Sequence, residues 1–245
     1  MLSLALQTRI DAAAALLTTS ATAYGKLVLA TSLGVEDQVV THLVAQHAPS
    51  VQLFTLDTGR LHPETLDLIQ ATERFLKRRI EVYFPQAQAV QQFVQYHGIN
   101  GFYESITQRK QCCETRKLEP LKRALAGQDA WITGLRREQA PTRGELLEVA
   151  HDAAFGLDKI SPLASWSEDD VWAYVRHFSL PTNPLHERGF RSIGCAPCTR
   201  ATQAHEDVRA GRWWWETPEQ KECGLHALPI RTSTQKTSSM EPSTV

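Results

Sequence analysis

Five cysteines carry the chemistry that this sequence announces. Cys112 and Cys113 are adjacent, Cys195 and Cys198 form a Cys-x-x-Cys, and Cys223 stands apart in Lys221-Glu222-Cys223-Gly224-Leu225-His226. Thiolates are soft ligands that suit zinc or iron–sulfur clusters, so four thiols in two pairs point to one shared centre. Zinc sites of four cysteines ordinarily use two spaced pairs. Neighbouring side chains diverge by about 100° on a helix and reach one small ion poorly, whereas a larger cluster offers different irons to the two sulfurs. Spacing alone ranks an iron–sulfur cluster above zinc and leaves both open. Cys223, with His226 three residues on, has the makings of a nucleophile whose thiolate is promoted by the imidazole or by nearby arginines. The competing reading, a small buried hydrophobe, fits poorly with Lys221, Glu222 and Gly224 around it.

A second set of residues suits an anion. Ser32-Leu33-Gly34-Val35-Glu36-Asp37 follows an apolar run and precedes a helical pattern, the place where backbone N–H groups and the helix dipole would face a phosphate. It is neither a Walker A loop nor a dinucleotide fingerprint, and Glu36 and Asp37 would favour a helix start for structural reasons alone. Arg209 and Arg212 are one helical turn apart and could converge on a phosphate or sulfate. Three consecutive tryptophans, Trp213 to Trp215, cannot all face one core, so one of them is expected at a surface.

These residues need elements to hold them. Leu6, Ile10, Ala13 and Leu17 recur at helical spacing in the first twenty residues. Strand-like runs at Lys26–Ala30, Val51–Leu56 and Ile80–Phe84 alternate with helical patterns at Val39, Val40, Leu43 and Val44, from Pro63 to about Leu76, and over about 87–96. Pro63 suits a first helical turn. Arg109–Gln111 leads into the adjacent cysteines, with a helix expected over Glu114–Leu125 and a short strand over Ala130–Thr133. The alternation predicts a mostly parallel sheet covered by helices, with ligands bound beyond the carboxyl ends of its strands. Those ends carry Ser32–Asp37, Asp57–Arg60 and Gly134–Arg143. Ser167 with Asp170 resembles a capping box opening an amphipathic helix over Val171, Trp172, Val175 and Phe178. Pro181 and Pro184 break that pattern. The expected organisation is one domain over 1–230, with the catalytic segment at about 200–230 and a disordered Thr/Ser-rich tail over 231–245.

The bulk numbers narrow the class. A chain of 245 residues with formal net charge −1 is no evident nucleic-acid binder. No apolar run approaches the roughly 20 residues that span a bilayer, and the amino terminus reads as a helix rather than a signal peptide. A reducing cytoplasm is expected, where a disulfide framework is disfavoured.

In combination these motifs resemble the phosphoadenylyl-sulfate reductase family, in its iron–sulfur adenylyl-sulfate-using branch. The matching stretches are Ser32–Asp37, Leu56-Asp57-Thr58-Gly59-Arg60-Leu61-His62-Pro63-Glu64, Cys112-Cys113-Glu114-Thr115-Arg116-Lys117 and Thr133-Gly134-Leu135-Arg136-Arg137. They continue with Gly194-Cys195-Ala196-Pro197-Cys198-Thr199-Arg200, Gly211–Glu216 and Glu222–His226. The resemblance implies an adenine-nucleotide α-hydrolase-like α/β fold with a mobile C-terminal segment. It implies a [4Fe–4S] cluster on Cys112, Cys113, Cys195 and Cys198, and adenosine 5′-phosphosulfate as substrate. Cys223 would take the sulfonate as an S-sulfocysteine, with His226 orienting substrate or lowering the thiol pKa, and thioredoxin or a similar dithiol would release sulfite for cysteine biosynthesis. Substrate binding is expected from Ser32, Gly34, Thr58, Gly59, Arg60, Lys117, Gly134, Arg143, Arg209 and Arg212. The first loop departs from the Ser-Gly-Gly-x-Asp-Ser form of ATP-using relatives at Leu33 and Glu36, which argues against ATP hydrolysis. The alternatives are use of the 3′-phosphorylated substrate, and a tRNA-thiolating enzyme with a related loop. Homo-oligomerisation is left open.

Overall fold

The computed structural model describes residues 2–139, 145–203, 205–217 and 221. Six strands form one sheet in the order β3-β2-β1-β4-β6-β5. These are β1 (Leu27–Ala30), β2 (Gln52–Leu56), β3 (Glu81–Tyr83), β4 (Ala130–Ile132), β5 (Val149–Asp152) and β6 (Leu157–Ile160). Every pairing is parallel except β5 with β6, an antiparallel hairpin at the edge. Chain order runs outward from β1 to β2 and β3, then returns to the other side of β1 at β4. The reversal leaves a crevice at the carboxyl ends of β1 and β4, where such sheets bind ligands.

The central strands β1 and β4 are buried on both faces, as their continuous apolar runs require. Leu27, Leu29, Ala130 and Ile132 point into a core with α1 (Leu4–Ala23), α2 (Val35–His47) and α7 (Glu168–Phe178). Val28, Phe54 and Trp131 point the other way, onto Leu121, Ala124 and Leu125 of α6 (Glu119–Leu125). The residues expected on the inner stripe of α1, namely Leu6, Ile10, Ala13 and Leu17, are all buried. α3 (Pro63–Leu76) has Pro63 in its first turn. α7 opens with the reciprocal capping box of Ser167 and Asp170. α4 (Ala87–His97) completes the helices that the sequence placed.

Two elements differ from the sequence reading. The helical stretch expected over Glu114–Leu125 is present, but as a π turn followed by α6, and it continues a helix that already contains the adjacent cysteines. The cysteines end α5 (Ile106–Cys113), which Ser105 caps through its hydroxyl, and a π turn over Glu114–Leu118 joins it to α6. The wider turn has a structural consequence, since π turns locally reset which face each side chain occupies. The β5–β6 hairpin went unread because its sequence mixes charge into both strands. Its buried Lys159–Asp152 ion pair lies where alternation would ask for apolar residues. Residues 204, 218–220 and 222–230 of the expected catalytic segment, and the tail over 231–245, lie outside the described residues.

Candidate functional site

Two adjoining cavities meet at Lys117. The larger is the crevice at the strand ends, lined by Ser32, Gly34, Thr58, Gly134, Arg209 and Arg212 among others. The smaller is lined by all four paired cysteines, together with Arg60, Arg109 and Arg116. Lys117 lines both. Thr58 lies on the crevice wall, and its hydroxyl is 3.3 Å from Cys195 Sγ.

Local chain geometry explains how the crevice is built. The loop after β1 turns through Leu33, whose φ of 62° is in the left-handed region, while its side chain is buried. Asp37, in the first turn of α2, reaches back across that loop. Its carboxylate accepts from the Ser32 N–H and hydroxyl, both at 2.6 Å, and from the Gly134 N–H at 3.0 Å. A side chain on Gly134 would overlap that carboxylate, so glycine is required for the approach of the β4 loop. Burial pushes the Asp37 carboxyl up to about 6, against the lowering effect of these hydrogen bonds. Its neighbour Glu36 pairs with the buried Arg136 at 2.9 Å.

The opposite end of the crevice is basic. The Arg212 guanidinium donates to the Ile193 carbonyl at 3.2 Å and stacks over Trp213 at 4.8 Å. It lies so close to Gly194 that any side chain there would overlap it. Arg209 donates to the Lys221 carbonyl at 3.3 Å, two residues before Cys223. Of the three tryptophans Trp213 is buried and Trp214 is 40% exposed, as three consecutive large rings require.

The thiol cavity is held by buried ion pairs and backbone contacts. Arg109, at the start of the last turns of α5, is fully buried and makes a two-pronged pair with Glu216 at 2.9 and 2.7 Å. It also lies over Trp213 at 4.8 Å, so one cation ties the cysteine-bearing helix to the tryptophan segment. Arg116 donates to the Thr58 carbonyl at 2.7 Å. The Ala196 N–H donates to the Arg60 carbonyl at 2.8 Å, which fixes the Cys-x-x-Cys to the β2 loop. The four cysteines form no disulfide. Among the described residues no group of three or more Cys, His, Asp or Glu side chains could hold a single metal ion.

The thiols respond differently to their shared cavity. Burial, and then the neighbouring Cys195, push Cys198 up to about 12. Burial also raises Cys112, against the guanidinium of Arg116. Burial acts upward on Cys195 as well, but Lys117, the Thr58 hydroxyl, Arg212 and Arg116 together leave it lowered.

The expected site residues thus fall into three groups. Ser32, Gly34, Thr58, Lys117, Gly134, Arg209 and Arg212 come together at the crevice. Arg60 instead faces the thiol cavity, where its guanidinium donates to Asn100 Oδ1 at 2.6 Å and lies over Phe102; Gly59 adjoins Arg116. Arg143, Cys223 and His226 lie outside the described residues. The sequence reading did not single out Arg109, Glu216 or the bridging role of Asp37. Distant ion pairs and loop-to-loop hydrogen bonds have no local spacing signal; an acidic residue just after a glycine loop was the available hint for Asp37.

The architecture, a mostly parallel sheet covered by helices, is an α/β fold shared with solved structures. A phosphoadenylyl-sulfate reductase from Candida auris superposes with a TM-score of 0.68, covering 82% of this chain and 98% of that one at 24% identity. An FMN adenylyltransferase from Candida glabrata superposes at 0.53, covering 82% and 68% at 15% identity. The chain belongs to the phosphoadenosine phosphosulfate reductase domain family, which matches residues 26–201. It is 57% identical to an adenosine 5′-phosphosulfate reductase from Allochromatium vinosum, over 90% of this chain and 86% of that one. A Burkholderia cepacia protein of the same name is 49% identical over 92% and 90%.

Proposed function

We propose that this chain is an adenylyl-sulfate reductase of sulfate assimilation, converting adenosine 5′-phosphosulfate to sulfite and AMP. The close relatives carry that name over nearly their full length. The observation that carries the mechanism is the position of Lys117, on the wall between an anion-suited crevice and a cavity of four thiols. The nucleotide lies in the crevice with its phosphosulfate toward Lys117, Arg209 and Arg212. Fixed positive charge is needed there, because an anionic thiolate must approach an anionic sulfur centre.

Cys223 is the nucleophile. Its thiolate attacks the sulfur, the bond from sulfur to the phosphate oxygen breaks, and AMP leaves with that electron pair. The product is an S-sulfocysteine on Cys223. A dithiol such as thioredoxin then attacks the Cys223 sulfur and expels sulfite. The second thiol resolves the mixed disulfide, so the dithiol is oxidised as the sulfonate sulfur is reduced. His226, three residues on, orients the substrate or promotes the thiolate. Arg209 donates to the carbonyl of Lys221, which anchors the start of the nucleophile's segment beside the basic end of the crevice.

Cys112, Cys113, Cys195 and Cys198 fit a [4Fe–4S] cluster. All four line one cavity, and none of them is in a disulfide. These four thiolates would hold the cluster, which would supply soft iron partners for all of them. Burial and mutual repulsion disfavour thiolates at Cys112 and Cys198, a cost that metal ligation removes. Bound there, the cluster supplies fixed local charge and rigidity to the wall that carries Lys117. The purified protein, offered adenylyl sulfate or its 3′-phosphorylated form with thioredoxin, should release sulfite mainly from the former. Equal or better turnover of the 3′-phosphorylated form would overturn the substrate assignment.

A further inference from the structure

Lys221 stands two residues before Cys223, where a positive charge would ordinarily be read as promoting the thiolate or drawing in the substrate anion. Its contacts point elsewhere. The Lys221 Nζ donates to the Ala210 carbonyl at 3.2 Å, and the Lys221 carbonyl in turn accepts from the Arg209 guanidinium at 3.3 Å. Burial, and then the neighbouring Arg200, lower the Lys221 ammonium pKa, as befits a side chain drawn in from water. The turn that receives it is well braced. The Arg209 N–H donates to Asp207 Oδ1 at 2.8 Å, the Ala210 N–H to the Asp207 carbonyl at 2.9 Å, and the Arg212 N–H to the Arg209 carbonyl at 2.9 Å. The Gly211 carbonyl accepts from the Arg200 N–H at 3.1 Å, and Gly211 lies so close to the Arg200 carbonyl that a side chain there would overlap it. The chain thus leaves the buried Arg109–Glu216 pair and, by Lys221, is back at the turn it came from.

We propose that Lys221 is a positioning residue. Its reciprocal hydrogen bonds with Arg209 and Ala210 register the stretch carrying Cys223 at the basic end of the crevice, which Arg209 and Arg212 line. The proposal rests on the reading of Cys223 as nucleophile and adds the contact that delivers it. Lys221 acts through the chain, because its ammonium engages a backbone carbonyl instead of the thiol or the nucleotide. Methionine in its place keeps a stem of similar length and loses the donor.

Mass spectrometry of the full-length protein, mixed with saturating adenylyl sulfate and no reductant, times the formation of the SO3 adduct on Cys223. A hydrogen bond from a charged donor is worth about tenfold or more in a local equilibrium, so Lys221→Met should slow adduct formation by about that factor. AMP affinity, measured by calorimetry, should stay within about twofold of wild type, which also shows that the variant is folded. The pH midpoint of Cys223 alkylation by iodoacetamide should not move. An adduct rate equal to wild type in Lys221→Met would overturn the proposal. So would a loss of AMP affinity matching the loss of rate, which would make Lys221 a nucleotide ligand. A raised alkylation midpoint would overturn it too, by making Lys221 a promoter of the thiolate. Absence of any adduct on Cys223 in the wild type overturns the nucleophile reading itself, and this proposal with it.

Discussion

Lys117 is where the residue-scale account is most exposed. It follows the adjacent cysteines by four residues along a π turn, and so reaches the wall shared by both cavities. It lines the crevice where, in the proposed reaction, negative charge develops on the departing phosphate. Preorganised donors of this kind are worth about 10²–10³ in turnover when removed. Lys117→Ala should lower kcat by that order while leaving the visible absorption expected of the proposed cluster in place. Unchanged turnover with an intact spectrum would remove Lys117 from the mechanism. The residue was legible from its motif, Cys-Cys-Glu-Thr-Arg-Lys. Its neighbour Arg116 stood in the same motif, but its bond to the Thr58 carbonyl depends on a contact 58 residues away in sequence, which no spacing reveals.

At the scale of elements, the site is a meeting of loops fixed by rigid strands. β1 and β4 pair in parallel, Leu27 opposite Ala130, and deliver the Ser32 and Gly134 loops side by side at the switch point. Asp37 clamps them together. Gly134→Ala would press a methyl onto the Asp37 carboxylate and crowd its backbone nitrogen at 3.1 Å. Overpacking that must move backbone typically costs about 1–3 kcal/mol. The expected outcome is a loss of that order in chemical denaturation, together with weakened nucleotide binding; an unchanged midpoint and affinity would show that the loops are not held this closely. The strands of the central sheet were readable because their apolar runs are bounded by glycine and polar turns. The α5 start was not, since Thr107, Gln108, Arg109 and Lys110 show no apolar stripe. That helix is held by the Ser105 cap and by Arg109 buried against Glu216. Tertiary pairing there replaces the periodic signal on which sequence reading depends.

Over the whole molecule, the arrangement separates charge along one crevice, carboxylates at the β1 end and cations at the other, next to the thiols. This separation leaves a trace in stability. The Asp37 carboxyl, held up to about 6, lies above its ordinary value near 4. Folding therefore favours the protonated form. That contribution is fully present below about pH 4 and is lost as pH rises through about 6, the loss amounting to on the order of 3 kcal/mol by neutrality. The stability of Asp37→Asn relative to wild type should accordingly rise by that order between pH 4 and pH 7 in parallel denaturation curves. A difference independent of pH would show that Asp37 titrates normally. The proposed reaction depends on Cys223 above all. The most direct measurement is intact-protein and peptide mass spectrometry after incubation with adenylyl sulfate and no reductant. A mass increase of one SO3 unit on the peptide containing Cys223, removed by thioredoxin with release of sulfite, is the expected result. Sulfite formation under turnover without any such adduct at Cys223, or an adduct on another cysteine, would contradict the account.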